Sequence, residues 1–144
     1  MADRLTLLLA LQRELQADSF GTDPCTLTTD AERSDFAFRS IVMAQDELHE
    51  ALEHVSWKWW ATDKYFDEEA FKGEVIDVLH FVLNLALVSG MDDRELYQRY
   101  CAKNAVNRER QAAGYAGRSD KCPICHAHVT EGCEHMDTIV IESL

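Results

Sequence analysis

"VIDVLHFVLNLALV" (residues 75–88) holds eleven apolar residues and three polar ones, Asp77, His80 and Asn84. At about 100° per residue on a helical wheel, the three polar positions fall within roughly 60° of one another. A surface helix carries a far wider polar face. The stretch therefore reads as a helix buried nearly all round, with a thin polar stripe facing a polar cavity and Glu74 at the stripe's edge. The plainer reading is a set of core polar groups satisfied by their neighbours.

Working outward, this helix begins near Asp67 and stops at Gly90, a natural C-terminal glycine. Upstream, Thr29 and Glu32 have capping-box spacing and open a helix from about Asp30 to Val55, with Ile41, Leu48, Leu52 and Val55 as its apolar side. An earlier helix covers 3–18, with Leu5, Leu8, Gln12 and Leu15 on one stripe, and a loop punctuated by Gly21 and Pro24 follows it. Asp92 and Glu95 open a last helix that runs to about Gly114. Four helices with short connections predict an all-α antiparallel four-helix bundle. After Gly117 the composition changes to a Cys/His-rich knuckle followed by "TIVIE" (138–142), a short strand. The expected organisation is a helical domain over 1–118 and a Cys/His tail over 119–144.

The chain has 144 residues and a formal charge of −12. It is long enough to bury a core, and its acidity argues against a nucleic-acid surface, which needs a basic face. The longest apolar run is too short and too interrupted for a membrane span, and the N-terminus shows no secretory signal, so the expected location is cytoplasmic.

The second and third helices carry matching acidic pairs. Glu47 and Glu50 in "DELHE" lie one turn apart, and "EVID" repeats the arrangement with Glu74 and Asp77. Four carboxylates brought together would repel strongly without cations. Hard oxygen ligands of this kind suit Mg²⁺ or Mn²⁺. Glu47 and Glu50 alone would read as a solvated helix face. On the last helix, Lys103, Asn107 and Arg110 form one stripe of donors suited to phosphate, or else ordinary positive charge near a helix C-terminus.

The pattern Glu47-x-x-Glu50 followed by Glu74-x-x-Asp77, together with "WKWWAT" and "DVLHFVLNLAL", resembles the all-α nucleoside triphosphate pyrophosphohydrolases, in particular their phage-type MazG-like and dimeric dUTPase-like members. The resemblance covers about residues 5–118. It implies hydrolysis of a nucleoside triphosphate at the α-phosphorus, giving a monophosphate and pyrophosphate. Glu47, Glu50, Glu74 and Asp77 would hold the ions, two with substrate bound, and Glu47 or Glu50 would accept the water's proton. His80 would orient a metal ligand or bury a hydrogen bond. The resemblance also carries over Lys103, Asn107, Arg110 and Tyr115 as phosphate contacts. It implies a homodimer or homotetramer, acting in the host cytoplasm if the chain is phage-encoded.

For the base, dimeric dUTPases place a glutamine and, four positions later, an asparagine. Here these positions are Gln12 and Gln16, which leaves dGTP or GTP, dUTP and dCTP all open. Trp57, Trp59 and Trp60 offer stacking surface, with Trp57 the candidate contact, and Asn84 faces the expected cavity. In the tail, Cys122-x-x-Cys125 with Cys133 and His135 makes a four-ligand structural zinc site, His128 being the substitute ligand. Two other readings compete. Asp46-x-x-His49 and Asp77-x-x-His80 echo the pairs of di-iron carboxylate bundles, which would make the chain an oxidoreductase. A non-enzymatic zinc-tailed interaction module would explain the knuckle but leave the acids without purpose.

Overall fold

The computed structural model describes residues 3–114, and within them every regular element is helical. The elements are α1 (Arg4–Phe20), a single 3-10 turn (Pro24–Thr26), α2 (Asp30–Glu53), α3 (Glu68–Val88) and α4 (Asp93–Ala112). Tyr115, the zinc ligands Cys122, Cys125, His128, Cys133 and His135, the 118/119 boundary and the strand over 138–142 lie outside the described residues. No single helix among those described is long and apolar enough to cross a membrane.

Local chemistry fixes the helix ends. The Thr29 side chain accepts from the Glu32 backbone N–H at 3.2 Å while Glu32 accepts from the Thr29 N–H at 3.1 Å, so the expected capping box is formed at the start of α2. Asp67 caps α3 by accepting from Ala70 N–H. Gly21 ends α1 at φ 68°, and Gly90 turns the chain after α3 at φ 79°, both left-handed conformations that cost glycine little.

The chain divides into two compact units at Cys101/Ala102. In the first, α2 and α3 pack along one another in antiparallel sense, Arg33 near the start of α2 donating to the Val88 carbonyl at the end of α3. α1 packs on α3, and Leu9, Leu83, Ala86 and Leu87 form the core, with Leu5, Leu79, Met91 and Leu96 against it. Thr6 hydrogen-bonds Asp93, tying the first turn of α4 to α1. Of the second unit, residues 102–114 are described, and they contain the last turns of α4, exposed except at Arg110.

Three expectations about helix faces are corrected. On α1 the inward stripe is Leu5, Leu9, Gln12 and Gln16, while Leu8 and Leu15 face outward with Leu7 and Leu11. α2 turns Ala37, Ser40, Ala44, Glu47 and Ala51 inward and leaves Ile41, Leu48 and Leu52 exposed. α3 is not buried all round: Leu83–Val88 are enclosed except for the partly buried Leu85, but Val75, Ile76 and Val82 stay exposed. The cause is common to all three helices. Each has apolar residues on more than one face, and the inward faces mix small or apolar residues with polar ones, Gln12 and Gln16 on α1, Ser40 and Glu47 on α2, His80 and Asn84 on α3, while Asp77 stays exposed.

Candidate active site

The antiparallel α2–α3 pair brings the two acidic motifs together. Carboxylate oxygens of Glu47, Glu50 and Glu74 all lie within 4.8 Å of one another, the one such group of potential metal ligands among the described residues. Glu47 and Glu74 are half-buried and Glu50 is exposed. Burial, then the charges of Glu50, Asp77 and Glu74, raise the Glu47 carboxyl above its ordinary range. Asp77 is therefore close enough to be felt electrostatically, although it is exposed and outside the three-residue cluster. Sequence reasoning missed His54, whose Nε2 lies 3.3 Å from Glu74 Oε1 where α2 ends.

This all-oxygen donor set fits hard divalent cations such as Mg²⁺. It does not fit a di-iron centre of the Glu-x-x-His type. Asp46 and His49 are exposed and outside the cluster, and His80 is engaged elsewhere.

One turn farther along the same two helices the surroundings change. A cavity of about 390 Å³ is lined by Gln16, Phe20, Thr22, Phe36, Arg39, Ser40, Met43, Phe81 and Asn84. Met43 precedes Glu47 by four residues and Phe81 follows Asp77 by four, so these lining residues lie one turn, about 6 Å along each helix axis, from the acids. Gln16 and Asn84 were expected at the substrate. Phe36, Met43 and Phe81 were missed, though each sits one helical turn or a whole number of turns from an acidic residue already singled out, which is the signal that could have found them.

Gln12 does not line the cavity. It is 3% exposed, its Nε2 donates to Asn84 Oδ1 at 2.7 Å, and its Oε1 faces His80 Nδ1 at 2.5 Å. His80 thus buries a hydrogen bond, one of its two expected roles. Trp57 is exposed and packs edge-on against Trp60, with centroids 6.1 Å apart, and Lys58 lies over its ring. Trp59 is 83% exposed. Their loop is closed by a bridge between Val55 and Phe66 and by Tyr65, whose hydroxyl donates to the Glu53 carbonyl. Lys103, Asn107 and Arg110 belong to the second unit and share one stripe of α4.

A family profile described as dUTPase matches residues 4–93, which contain both acidic motifs and the cavity. The chain belongs to this dUTPase family. Membership places the dUTPase-family chain among the all-α nucleoside triphosphate pyrophosphohydrolases, as the acidic motifs had suggested. It is similar to a dCTP pyrophosphatase of Enterobacteria phage T4, 34% identical over 95 residues that cover 56% of each chain. It is also similar to a dCTP pyrophosphatase of Enterobacteria phage LZ5, 41% identical over 49 residues covering 34% of this chain and 28% of that one. The chain thus spans about half the length, or less, of the curated relatives it matches. No solved structure gives a significant match.

Proposed function

We propose that this protein is a Mg²⁺-dependent pyrophosphohydrolase that cleaves a nucleoside or deoxynucleoside triphosphate at the α-phosphorus, releasing the monophosphate and pyrophosphate. One observation carries the reading: three carboxylates from α2 and α3 converge about one helical turn from residues of the same helices that line a cavity of aromatic and amide side chains. Charge-binding and base-binding ends then lie in line, as a nucleotide requires. Among the candidates dCTP, dUTP and dGTP or GTP, dCTP stands first because both phage relatives carry that name.

Glu47, Glu50 and Glu74, with Asp77 as the fourth carboxylate, would hold the cations. A divalent ion held by these carboxylates would supply Lewis-acid chemistry, polarising the phosphate and lowering the pKa of an attacking water. Glu47 or Glu50, both on α2 beside Glu74, would take the water's proton. Phe36 and Phe81 flank the base, Asn84 and Gln16 meet its polar edge, and Trp57 closes over the nucleotide. Lys103, Asn107, Arg110 and Tyr115 contact phosphate oxygens, by family similarity and by their donor chemistry.

The protein assembles as a homodimer or homotetramer. The support is the exposed apolar faces of α1, α2 and α3 in a single chain, a pattern that marks association surfaces. The tail over 119–144 binds one structural Zn²⁺ through Cys122, Cys125, Cys133 and His135, with His128 the substitute, on the strength of ligand type and spacing. The protein acts in the cytoplasm, that of the host if the chain is phage-encoded.

The decisive experiment is pyrophosphate release from a panel of nucleoside triphosphates with Mg²⁺, expected to be abolished by EDTA and restored by Mg²⁺ or Mn²⁺. Absence of release from every nucleotide with either metal would sink the proposal. Metal analysis of purified full-length protein should return one zinc per chain, and a Cys122→Ser/Cys125→Ser variant none.

A further inference from the structure

Asn84 is 2% exposed and lines the aromatic cavity, yet among the described residues its amide nitrogen has no hydrogen-bond partner. Its oxygen is already taken, accepting from Gln12 Nε2 at 2.7 Å. Gln12 is held in that orientation from its other side, where Oε1 lies 2.5 Å from His80 Nδ1. A carboxamide oxygen only accepts, so with the Gln12 amide in this orientation His80 Nδ1 carries the proton and donates. The three side chains come from α1 and α3 and form a directed chain: His80 donates to Gln12, Gln12 donates to Asn84, and Asn84 is left with its NH₂ for the cavity.

We infer that His80 is a positioning residue that sets the hydrogen-bond polarity of the cavity, so that Asn84 presents a donor and selects a base edge bearing an acceptor. This rests on the reading of the cavity as a nucleobase site. The chain has one alternative register. With the proton on His80 Nε2 instead, Gln12 would turn its NH₂ to Nδ1, Asn84 would donate to Gln12, and the Asn84 carbonyl would face the cavity. The edges that distinguish the bases differ in this respect, uracil offering O4 and an N3–H where cytosine offers N3 and an amino group. The register therefore bears on which nucleotide fits. A buried donor or acceptor left without a partner costs on the order of tenfold to a hundredfold in discrimination.

The test uses the full-length protein with Mg²⁺ and dATP, dCTP, dGTP and dUTP. Gln12→Glu replaces the amide by a group that accepts only, obliging Asn84 to donate inward and present its carbonyl. The nucleotide preferred by the wild type should lose at least tenfold in kcat/KM relative to one offering an N–H at that edge. His80→Phe removes the donor and frees both registers, so discrimination should narrow about tenfold, and His80→Gln, whose amide can donate, should restore it. Nitrogen-15 spectra of the wild type, with His80 assigned by difference against His80→Gln, should find the proton on Nδ1. An unchanged rank order in Gln12→Glu, unchanged discrimination in His80→Phe, or a proton on Nε2 alone would overturn the inference. If Gln12→Glu does not fold, the His80 variants and the spectra decide. A wild type inactive on all four nucleotides overturns the proposed function instead, and the His80 tautomer still decides the relay.

Discussion

Glu47 is half-buried between Glu50, Glu74 and Asp77, and its carboxyl titrates above the ordinary glutamate range. A carboxyl whose folded pKa exceeds its unfolded value favours folding while it is protonated, and that contribution is lost as pH rises through the folded value. Metal-free protein should accordingly gain thermal stability as pH falls through the raised Glu47 pKa toward the ordinary glutamate value. Mg²⁺ should remove much of the difference by neutralising the cluster. Glu47→Gln should raise the melting temperature of the metal-free protein at pH 7 while lowering pyrophosphate release at least a hundredfold. Calorimetry with and without Mg²⁺, beside a release assay, checks both, and a variant that keeps activity removes Glu47 from the chemistry. Gln12→Leu should destabilise by about 1–3 kcal/mol in urea denaturation, because it leaves both His80 and Asn84 without their buried partner. At this scale the sequence was informative about which residues are unusual. A thin polar stripe on an apolar helix and an amide among leucines are both visible in one dimension. That the stripe and the amide bond each other across 68 and 72 positions is not.

The helix ends were legible for the same reason, because caps are local. Thr29 and Glu32 satisfy each other's backbone groups within one turn, so their spacing alone announces the start of α2. Thr29→Ala should cost about 1 kcal/mol of stability by equilibrium denaturation, with kcat/KM unchanged. The facing of each helix was less legible. α2 offers Ile41, Leu48 and Leu52 on one side and Ala44, Glu47 and Ala51 on the other, and hydrophobicity alone favours the first. The chain packs the second against α3, because alanines permit the close approach that brings Glu47 and Glu50 to Glu74. Pattern rules that assume apolar means inward fail where the inward face must be a polar site.

At the scale of the whole molecule, Leu48 at 55% exposed and Ile76 at 53% exposed belong to the apolar faces that the proposed assembly would cover. Light scattering coupled to size exclusion should return a dimer or tetramer at micromolar concentration. Ile76→Asp should shift it toward monomer with lower activity, and a wild type that runs as a monomer would refute the assembly. The sequence alone supplied four carboxylates at helical spacing on two helices, the residue type that suits a divalent cation. It also determined the helical content of the described residues, because periodicity and caps act within a turn or two. Only the tertiary structure decided which faces meet, that Glu47, Glu50 and Glu74 converge while Asp77 stays outside their cluster, that the aromatic cavity adjoins them, and that His80 reaches Asn84 through Gln12. Those outcomes depend on packing between segments distant in the chain, where shape and mutual hydrogen bonding override the preference of any one helix.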